Sequence, residues 1–548
     1  MKNSLLKILL AVVALSLILS ACAPAATPTS APVKPATEAP QVAPPTEAPV
    51  PTPEAPTDLE IWVSGRVTEA GPPPDDWVAY QIIKDKLNIN LKVVILPGTQ
   101  ADQDTKINTA AASNSLPDLF FVNRDTWFKI TDAGLIANVE DLLPLMPERT
   151  KTHYSDPDRN LQVTYNGKLY GLADPGNLVQ TDAMVIRQDW LDKLGLKAPT
   201  TLDEFMTVAK AFTNDDPDGN GKKDTYGLCA FIDGSGLNGA GVGPRFDFVY
   251  GAYGVAGTWN LTGKGDFGLN VRNPNYMKAT EFIKELNDAK VIDADWPSLK
   301  KDEFRVHWKQ GKCGMMQENF AALSTKSNYA DFDANFPNGQ WVPFDPPKGP
   351  DGASSAGVTI QPARIYAVSQ RAIDAGKGPA LAKLLEWMST DGYMLLAFGQ
   401  EGVNYKLDAN GYVVTDGLAD ADKWTSKEAQ PLTQLANMVY IFSPIELQAR
   451  YPAYKAATSG KDMDPLAFYK AFQKQAYTNS SAAAIINPPA NAADFVRYYS
   501  ENIVQFVLGQ KPLDEAAWTE YIAGLDSLGA KDLEAAAKQT LTDAGFMK

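Results

Sequence analysis

Histidine is nearly absent from this chain, which has only His153 and His307 among its 548 residues, together with three cysteines. Neither histidine lies in an HExxH spacing or a similar metal-ligand spacing. GxSxG and P-loop motifs are also missing, so the sequence carries no signature of a serine hydrolase or a P-loop nucleotide-binding protein. Carboxylates are abundant, however. A glycosidase carboxylate pair therefore stays open, although no spacing marks one.

Basic residues are outnumbered, with 50 Lys and Arg against 65 Asp and Glu, which gives a formal charge of −15. A nucleic-acid-binding surface needs clustered Lys and Arg to contact phosphates. We therefore expect no nucleic-acid partner. The chain is 45% hydrophobic and much longer than one core requires, which predicts two or more lobes.

The N-terminal apolar run, residues 8–19, is too short to indicate a membrane span. Lys2 and Lys7 precede it, and the sequence Leu-Ser-Ala-Cys that ends at Cys22 matches a bacterial lipobox. We predict cleavage before Cys22 and diacylglyceryl attachment to its sulfur, which would anchor the protein on the extracellular side of the cell membrane. The alternative is an ordinary secretory signal followed by a chance cysteine.

Residues 23–57 are rich in Pro and Ala and contain no aromatic residue. Such a segment cannot bury a core, so it predicts a disordered, extended tether. Beyond the tether the only thiols are Cys229 and Cys313. They can pair in an exported protein, but no spacing favours that pairing, and the sequence leaves it open.

Strand-type and helix-type segments alternate after residue 58. The sequence predicts strands at 59–63, 91–96 and 117–122, separated by helices at 79–87 and 103–112. This alternation is typical of an α/β fold with a mainly parallel sheet covered by helices. Ligands of such sheets bind beyond the carboxyl ends of the strands. Candidate ligand-binding residues there are Arg66, Asn123, Asp125 and Trp127.

Local signals define three further features. Asn166 and Gly167 predict a hairpin turn. Gly195 predicts the end of a helix that starts near residue 187. Thr201 and Glu204 form a capping-box pattern at the start of an amphipathic helix.

The loop at 216–227 is dense in oxygen ligands. The side chains of Asp216, Asp218, Asn220 and Asp224 and the carbonyl of Lys222 fall at the spacing of an EF-hand-like calcium loop. The bidentate Glu that usually ends such a loop is replaced by glycine, so another ligand is needed, such as Thr225 or a distant side chain. We predict a structural calcium ion; the alternative is an acidic, Gly-rich surface turn.

Six segments occur in one order along the chain: LPDLFFVN, LYGL, RQDWLDKLGLKAPTTLDEF, AFTNDDPDGNGKKDTYG, GKCGMM and GQEGVNY. Together they resemble the extracellular solute-binding proteins of family 1, and in particular the large sugar-binding lipoproteins that include alginate- and oligosaccharide-binding members. The resemblance implies a periplasmic-binding-protein-like α/β fold with two discontinuous lobes and a ligand cleft. It also implies a calcium site in the loop, although alginate-binding members carry an acidic residue where this chain has Thr225.

The resemblance and the composition together give a domain plan. We predict a signal segment at 1–21, a lipidated cysteine and tether at 22–57, and a first lobe formed by 58–180 and 355–392. The second lobe is predicted from 181–354 and 393–548, with the calcium loop and a helical C-terminal region.

Sugar binding requires aromatic faces and planar polar groups in the cleft. Trp259 lies in a Gly-rich stretch, and the other candidates follow predicted strands or glycines. These further candidates are Gln317, Glu318, Asn319, Arg364 and Tyr405.

We therefore expect a monomeric, membrane-anchored binding protein, not an enzyme. It would capture an oligosaccharide or uronate-containing glycan by lobe closure and present it to an ABC-transporter permease. The alternatives are a calcium-stabilised surface polysaccharide hydrolase or lyase, and a sugar-sensing partner protein.

Overall fold

The computed structural model describes residues 55–232, 242–261, 266–487, 489 and 491–547. The predicted signal segment, Cys22 and nearly all of the predicted tether lie outside these residues. The first strand starts at Thr57, which is the last residue of the predicted tether.

The first lobe is built on a five-stranded sheet. The strands lie in the order Ile89–Ile95, Thr57–Val63, Leu119–Phe121, Ala363–Val368 and Leu172–Pro175. The first three are parallel, and Ala363–Val368 is antiparallel to both of its neighbours. The carboxyl ends of the three parallel strands therefore lie at the same edge of the sheet as Pro175 and Ala363. We refer to it as the cleft edge.

The second lobe is built on a four-stranded sheet. Its strands lie in the order Trp341–Pro343, Asp182–Arg187, Cys313–Asn319 and Tyr226–Leu228. Asp182, which begins one strand, pairs with Asn319, which ends its neighbour. Both residues therefore lie at the end of this sheet where the chain enters from the first lobe.

Helices cover both sheets, as the alternation of the sequence predicts. The longer helices of the first lobe are Val78–Leu87, Gln100–Ala112, Arg124–Asp132, Pro147–His153, Gly378–Ser389, Tyr393–Phe398 and Pro444–Arg450. Those of the second lobe are Gln188–Leu194, Leu202–Asn214, Asp247–Ala252, Pro274–Asp288, Lys301–Lys309, Lys326–Asn335, Pro465–Phe472, Ala492–Val507, Glu515–Ser527 and Ala530–Asp543. No helix among the described residues is long and apolar enough to cross a membrane.

Several chain crossings connect the two lobes. The chain leaves the first sheet after Pro175 and enters the second at Asp182, and it returns before Ala363. Beside these crossings the short strand Val358–Thr359 pairs with Thr478–Asn479. The described elements thus form one compact unit from residue 55 onward.

The boundary predicted at residue 393 needs correction. Phe398, Trp424 and Tyr440 are buried in the same hydrophobic cluster as Ile61 and Leu385 of the first lobe. Ala456 and Phe472, in contrast, pack in a second-lobe cluster. The segment from 393 to about 450 therefore completes the first lobe, because its aromatic side chains fill the space beneath the first sheet.

Cys229 and Cys313, whose pairing the sequence left open, form a disulfide. Cys313 begins a central strand of the second sheet, and Cys229 follows the neighbouring strand Tyr226–Leu228. The bond spans 84 residues of sequence. A crosslink over a loop of this length restricts the unfolded chain and so stabilises the second lobe.

Gly227 allows the helix Leu202–Asn214 to lie directly against the second sheet. A Cβ atom at this position would lie 2.4 Å from both the Cα and the carbonyl oxygen of Ala209. Backbone atoms cannot rotate away, so the helix would have to move.

We predict that Gly227→Ala lowers the free energy of unfolding by about 1–3 kcal/mol. The matched control is Gly98→Ala, since a Cβ there meets nothing closer than 3.8 Å. Denaturant unfolding of both variants measures the difference. Equal stabilities would show that the helix is not held at this distance.

Candidate functional site

A cavity of about 370 Å³ lies where the chain crosses between the lobes. Its walls come from the crossing segments 178–182 and 358–362 and from second-lobe residues that include Arg245, Gln317 and Tyr477. The cavity is polar on its second-lobe side. Its position at the junction of the two lobes makes it the floor of the candidate ligand cleft.

The charges of this floor are balanced. Arg245 Nη1 donates to Asp182 Oδ1 at 2.9 Å and to the carbonyl oxygen of Gln317 at 2.6 Å. Asp182 also accepts from Thr181 Oγ1 at 2.9 Å and Asn319 Nδ2 at 3.2 Å. Burial alone would raise the pKa of Asp182, but Arg245 and these hydrogen bonds lower it below its usual value. The floor is therefore a fixed, ionised network.

Three arginines approach Tyr440 at the cleft edge of the first sheet: Arg66, Arg364 and Arg450. The guanidinium carbon of Arg450 lies 3.7 Å from the centre of the Tyr440 ring. Burial and the charge of Glu446 raise the pKa of the Tyr440 hydroxyl, whereas all three arginines act to lower it. The hydroxyl thus lies within electrostatic reach of three positive charges.

Neutral oxygens hold two of these arginines in place. Arg66 Nη1 donates to Thr433 Oγ1 at 2.8 Å and to the carbonyl oxygen of Trp424 at 3.2 Å. Arg364 Nη1 donates to the carbonyl oxygens of Pro175 at 2.8 Å and Asn437 at 3.2 Å. Such contacts position a guanidinium without neutralising its charge.

No carboxylate within the described part of the chain forms a salt bridge with any of these three arginines. Asp174 is the acidic neighbour of Arg364, but it is bound to Arg149 Nη2 at 2.7 Å. Burial, followed by the repulsion of Arg450, lowers the pKa of Arg66. Glu446 is an acidic neighbour of Arg450, but it accepts from the backbone N–H groups of Ile441 and Ser443 and forms no salt bridge with Arg450. The three arginines thus outnumber their two acidic neighbours, Asp174 and Glu446.

The predicted ligand-binding residues separate into two groups. Arg66 and Arg364 lie in the arginine cluster, and Gln317 lines the cavity at the crossing. Asn319 lies beside that cavity, where it donates to Asp182 and caps the helix Phe320–Ser324. These four residues are brought to the candidate cleft.

The predicted aromatic platforms are instead core residues, which corrects their predicted role. Trp127 has no exposed surface, and its indole nitrogen donates to the carbonyl oxygen of Tyr170 at 3.0 Å. Trp259 is 4% exposed and stacks on Phe267 with ring centres 5.6 Å apart. Tyr405 is buried in the first-lobe core. A ring without exposed surface cannot cover the face of a sugar.

The polar candidates that remain have local structural partners. Glu318 is fully buried and accepts from Arg305 at 3.2 Å. Asn123 donates to Asp104 Oδ1 at 3.0 Å. Asp125 is exposed in the first turn of the helix Arg124–Asp132. Nothing in these surroundings orients Glu318, Asn123 or Asp125 toward a ligand in the cleft.

Sequence reasoning missed Arg450, Tyr440, Arg245 and Asp182. Arg450 ends the helix Pro444–Arg450, and its neighbours Arg66 and Arg364 are distant in sequence. No local pattern brings these residues together, because the cluster depends on residues 393–450 returning to the first lobe.

The loop at 216–227 adopts the compact turn that the sequence predicts. Asp216 accepts from the backbone N–H groups of Gly219 and Gly221, both at 3.1 Å. Asn220 Nδ2 donates to Asp218 Oδ2 at 2.7 Å and to the two carboxylate oxygens of Asp224 at 3.2 and 3.3 Å. Three carboxylate oxygens thus converge on one polarised amide group.

Two lobes of the α/β type, joined by crossing segments with a polar cleft between them, define a binding protein that closes around its ligand. The chain belongs to the family of bacterial extracellular solute-binding proteins, whose family model matches residues 81–394. It is accordingly a solute-binding protein and not an enzyme.

Two curated relatives bind saccharides according to their names. The chain is 29% identical over 376 residues to the polygalacturonan/rhamnogalacturonan-binding protein YtcQ of Bacillus subtilis, covering 66% of this chain and 70% of the relative. It is 31% identical over 230 residues to the fructooligosaccharide ABC transporter substrate-binding protein FusA of Streptococcus pneumoniae, covering 38% and 39%.

Solved structures share the fold. An extracellular solute-binding protein from Bifidobacterium longum subsp. infantis superposes with a TM-score of 0.67 at 16% identity, over 90% of this chain and 99% of that chain. FusA, as an EF-hand mutant in complex with fructo-nystose, gives a TM-score of 0.55 at 18% identity, over 88% and 99%. At these identities the likeness establishes the two-lobed architecture.

Proposed function

We propose that this protein captures an acidic oligosaccharide outside the cell, closes its lobes around it and delivers it to an ABC-transporter permease. The observation that carries the proposal is the cluster of Arg66, Arg364 and Arg450 at the cleft edge, which has no carboxylate partner among the described residues. A guanidinium matches a carboxylate in shape and charge, and the pair forms strong charge-assisted hydrogen bonds. A uronate-containing glycan supplies such carboxylates.

The name of YtcQ supports this class of ligand, since polygalacturonan is a polymer of a uronic acid. A neutral glycan, such as the fructooligosaccharide in the name of FusA, would leave the three guanidinium groups without a counter-charge. The family supports transport over the hydrolase or lyase alternative, because its members bind solutes. A sensing role would use the same ligand and differ only in the partner.

The test is a variant that removes one charge from the cluster. We predict that Arg450→Gln weakens binding of a short oligogalacturonide about ten- to hundredfold, because it removes a charged hydrogen-bond donor from the carboxylate. Isothermal titration calorimetry at fixed ionic strength measures the loss. A neutral oligosaccharide of the same length serves as the second ligand.

The matched control is Arg497→Gln, since Arg497 is an exposed arginine that pairs with Asp494 on a second-lobe helix. This variant should bind like the parent protein. Equal affinities of the parent for acidic and neutral glycans would contradict the proposed ligand class.

The anchor follows from the lipobox. We propose that the mature chain begins at a lipidated Cys22 and that the Pro- and Ala-rich segment links the folded body to the outer face of the cell membrane. This places the ligand cleft where the permease can accept its solute.

We predict that Cys22→Ala, expressed in a bacterial host that processes lipoproteins, moves the protein from the membrane fraction to the soluble fraction. Far-UV circular dichroism should be unchanged, because the folded body starts at residue 57. A variant that still sediments with membranes would refute the lipobox interpretation.

We further propose that the loop at 216–227 holds a calcium ion through Asp216, Asp218, Asn220, Asp224 and the carbonyl of Lys222. The donor set fits a hard cation, since three of the side chains are carboxylates. Burial and the negative charges of Asp224 and Asp216 raise the pKa of Asp218, as expected for carboxylates held close together. When bound, the ion would supply positive charge that neutralises this repulsion.

We propose that the missing ligand is a distant side chain rather than Thr225. Its hydroxyl is buried and donates to the carbonyl oxygen of Phe212 at 2.8 Å. Asp218, Asn220 and Asp224 line a cavity of about 620 Å³ together with Asp189 and the amides of Gln310, Asn335 and Asn338. A further oxygen ligand is available on that wall.

We predict that calcium at ten times its dissociation constant stabilises the protein by about 1.4 kcal/mol, which a chelator removes. Asp218→Asn should abolish the effect, whereas Asp420→Asn, at an exposed aspartate paired with Lys423, should keep it. Thermal unfolding with and without calcium measures both. A melting temperature that does not change when calcium is added or removed would show that the loop is an ordinary surface turn.

A further inference from the structure

A second cavity, of about 230 Å³, lies between the lobes at a different place from the crossing cavity. The first lobe contributes Arg124, Phe128 and Tyr165, and the second lobe contributes Asn487 and Thr540. The volume is far above the roughly 15 Å³ that one water molecule requires. The space therefore admits a ligand group in contact with both lobes.

Arg124 is the charged group of this cavity. Its Nε and Nη1 atoms are buried and have no hydrogen-bond partner among the residues that the structure describes. Its guanidinium carbon lies 4.5 Å from the ring centre of Trp127 and 5.6 Å from that of Phe128. The rings attract the cation, but they provide neither hydrogen-bond acceptors nor a full counter-charge.

Neither of the two acidic residues near Arg124 forms a salt bridge with it among the described residues. Asp125 is exposed, and it forms no salt bridge with Arg124 in the described part of the chain. Asp543 lines the same cavity but accepts from Gln539 Nε2 at 2.7 Å. Burial lowers the pKa of Arg124 to about 10 despite the nearby charge of Asp125. Two of the three guanidinium nitrogens are thus buried without a hydrogen-bond partner or a salt bridge among the described residues.

The rest of the cavity suits a sugar ring. Phe128 and Tyr165 meet edge to face with ring centres 5.8 Å apart and form an aromatic wall. Asn487 and Thr540 add an amide and a hydroxyl from the other lobe. Aromatic surface combined with a few polar groups is typical of carbohydrate sites.

Arg124 also lies on the same edge as the arginine cluster. It follows the strand Leu119–Phe121, which lies between the strand that precedes Arg66 and the strand that contains Arg364. Neighbouring strands are about 4.8 Å apart. Arg124 stacks on Trp127 in the core cluster of one sheet face, and Tyr440 belongs to the cluster of the other face. A glycan that contacts both sites must therefore be long enough to extend across this end of the sheet.

We propose that this cavity is a separate carboxylate subsite. In it Arg124 binds the carboxylate of one uronate of the oligosaccharide, and this sugar contacts both lobes when they close. The proposal rests on the proposed function, because it assigns a second carboxylate of the same acidic solute.

The test compares Arg124→Gln with Arg450→Gln on oligogalacturonides of increasing length. We expect Arg124→Gln to leave the affinity for the shortest ligand that binds unchanged and to weaken the affinity for longer ligands about tenfold. The double variant should lose the product of the two factors, because separate subsites contribute additively. Calorimetric titration provides all of these affinities.

A structural role of Arg124 is distinguished by stability without ligand. Because Arg124 lacks an anionic partner, Arg124→Gln should keep or raise the melting temperature of the ligand-free protein. A lowered melting temperature together with equal losses at every ligand length would overturn the subsite. Asp543→Asn is the second control, and the same length-dependent loss in that variant would show that Arg124 acts through Asp543, which also overturns it.

The two proposals fail in different ways. If Arg450→Gln weakens binding while Arg124→Gln binds every ligand like the parent, the subsite is wrong and the proposed function stands. If the parent protein binds no acidic oligosaccharide, both are wrong.

Discussion

A guanidinium group that leaves water must regain hydrogen bonds and a counter-charge, or its burial opposes folding. Within each lobe the most deeply buried arginines have an acidic partner that supplies the counter-charge. Arg149, which has no exposed surface, donates to Asp174 at 2.7 Å and to Tyr154 at 2.8 Å. Arg187 forms two hydrogen bonds with Asp189, at 2.8 and 2.6 Å. Arg245 joins Asp182 to the neighbouring strand at the crossing. Near the cleft edge, by contrast, Arg124 and the three arginines around Tyr440 form no salt bridge among the described residues, and these are the groups to which we assign the proposed acidic solute.

Features set by near neighbours in sequence could be predicted. Asn166 and Gly167 both adopt positive φ in the hairpin turn, and Gly195 ends its helix with a φ of 67°. Thr201 accepts from the backbone N–H of Glu204, as the capping pattern indicates. The helix Leu202–Asn214 buries its predicted apolar face. The turn, the helix end and the cap depend on residues no more than four positions apart, so a short stretch of sequence is enough to predict them.

Burial and clustering over long distances could not be predicted in this way. Trp259 has glycines around it and no periodic pattern, yet Phe267 and the C-terminal helices cover it. The cleft role assigned to Trp127 failed for the same reason, since the strand and the hairpin that cover it lie far apart in sequence. Residues 393–440 carry no local sign of which lobe they join. That segment positions Tyr440 and is followed by Arg450. Because the sequence analysis assigned both residues to the wrong lobe, it could not place them beside Arg66 and Arg364.

The same electrostatic imbalance connects recognition to lobe closure. While the lobes are apart, water can solvate a cleft-edge guanidinium, so its charge costs little. Closure removes that water from Arg124, because second-lobe residues such as Thr540 form the other wall of its cavity. Without a solute the closed form therefore contains a buried, unpaired cation. A uronate supplies the missing anion only in the closed form, and a ligand shifts a conformational equilibrium by its difference in affinity for the two states. A neutral sugar has no such difference at this position, so under the proposed function the groups that select an acidic solute would also make closure depend on it.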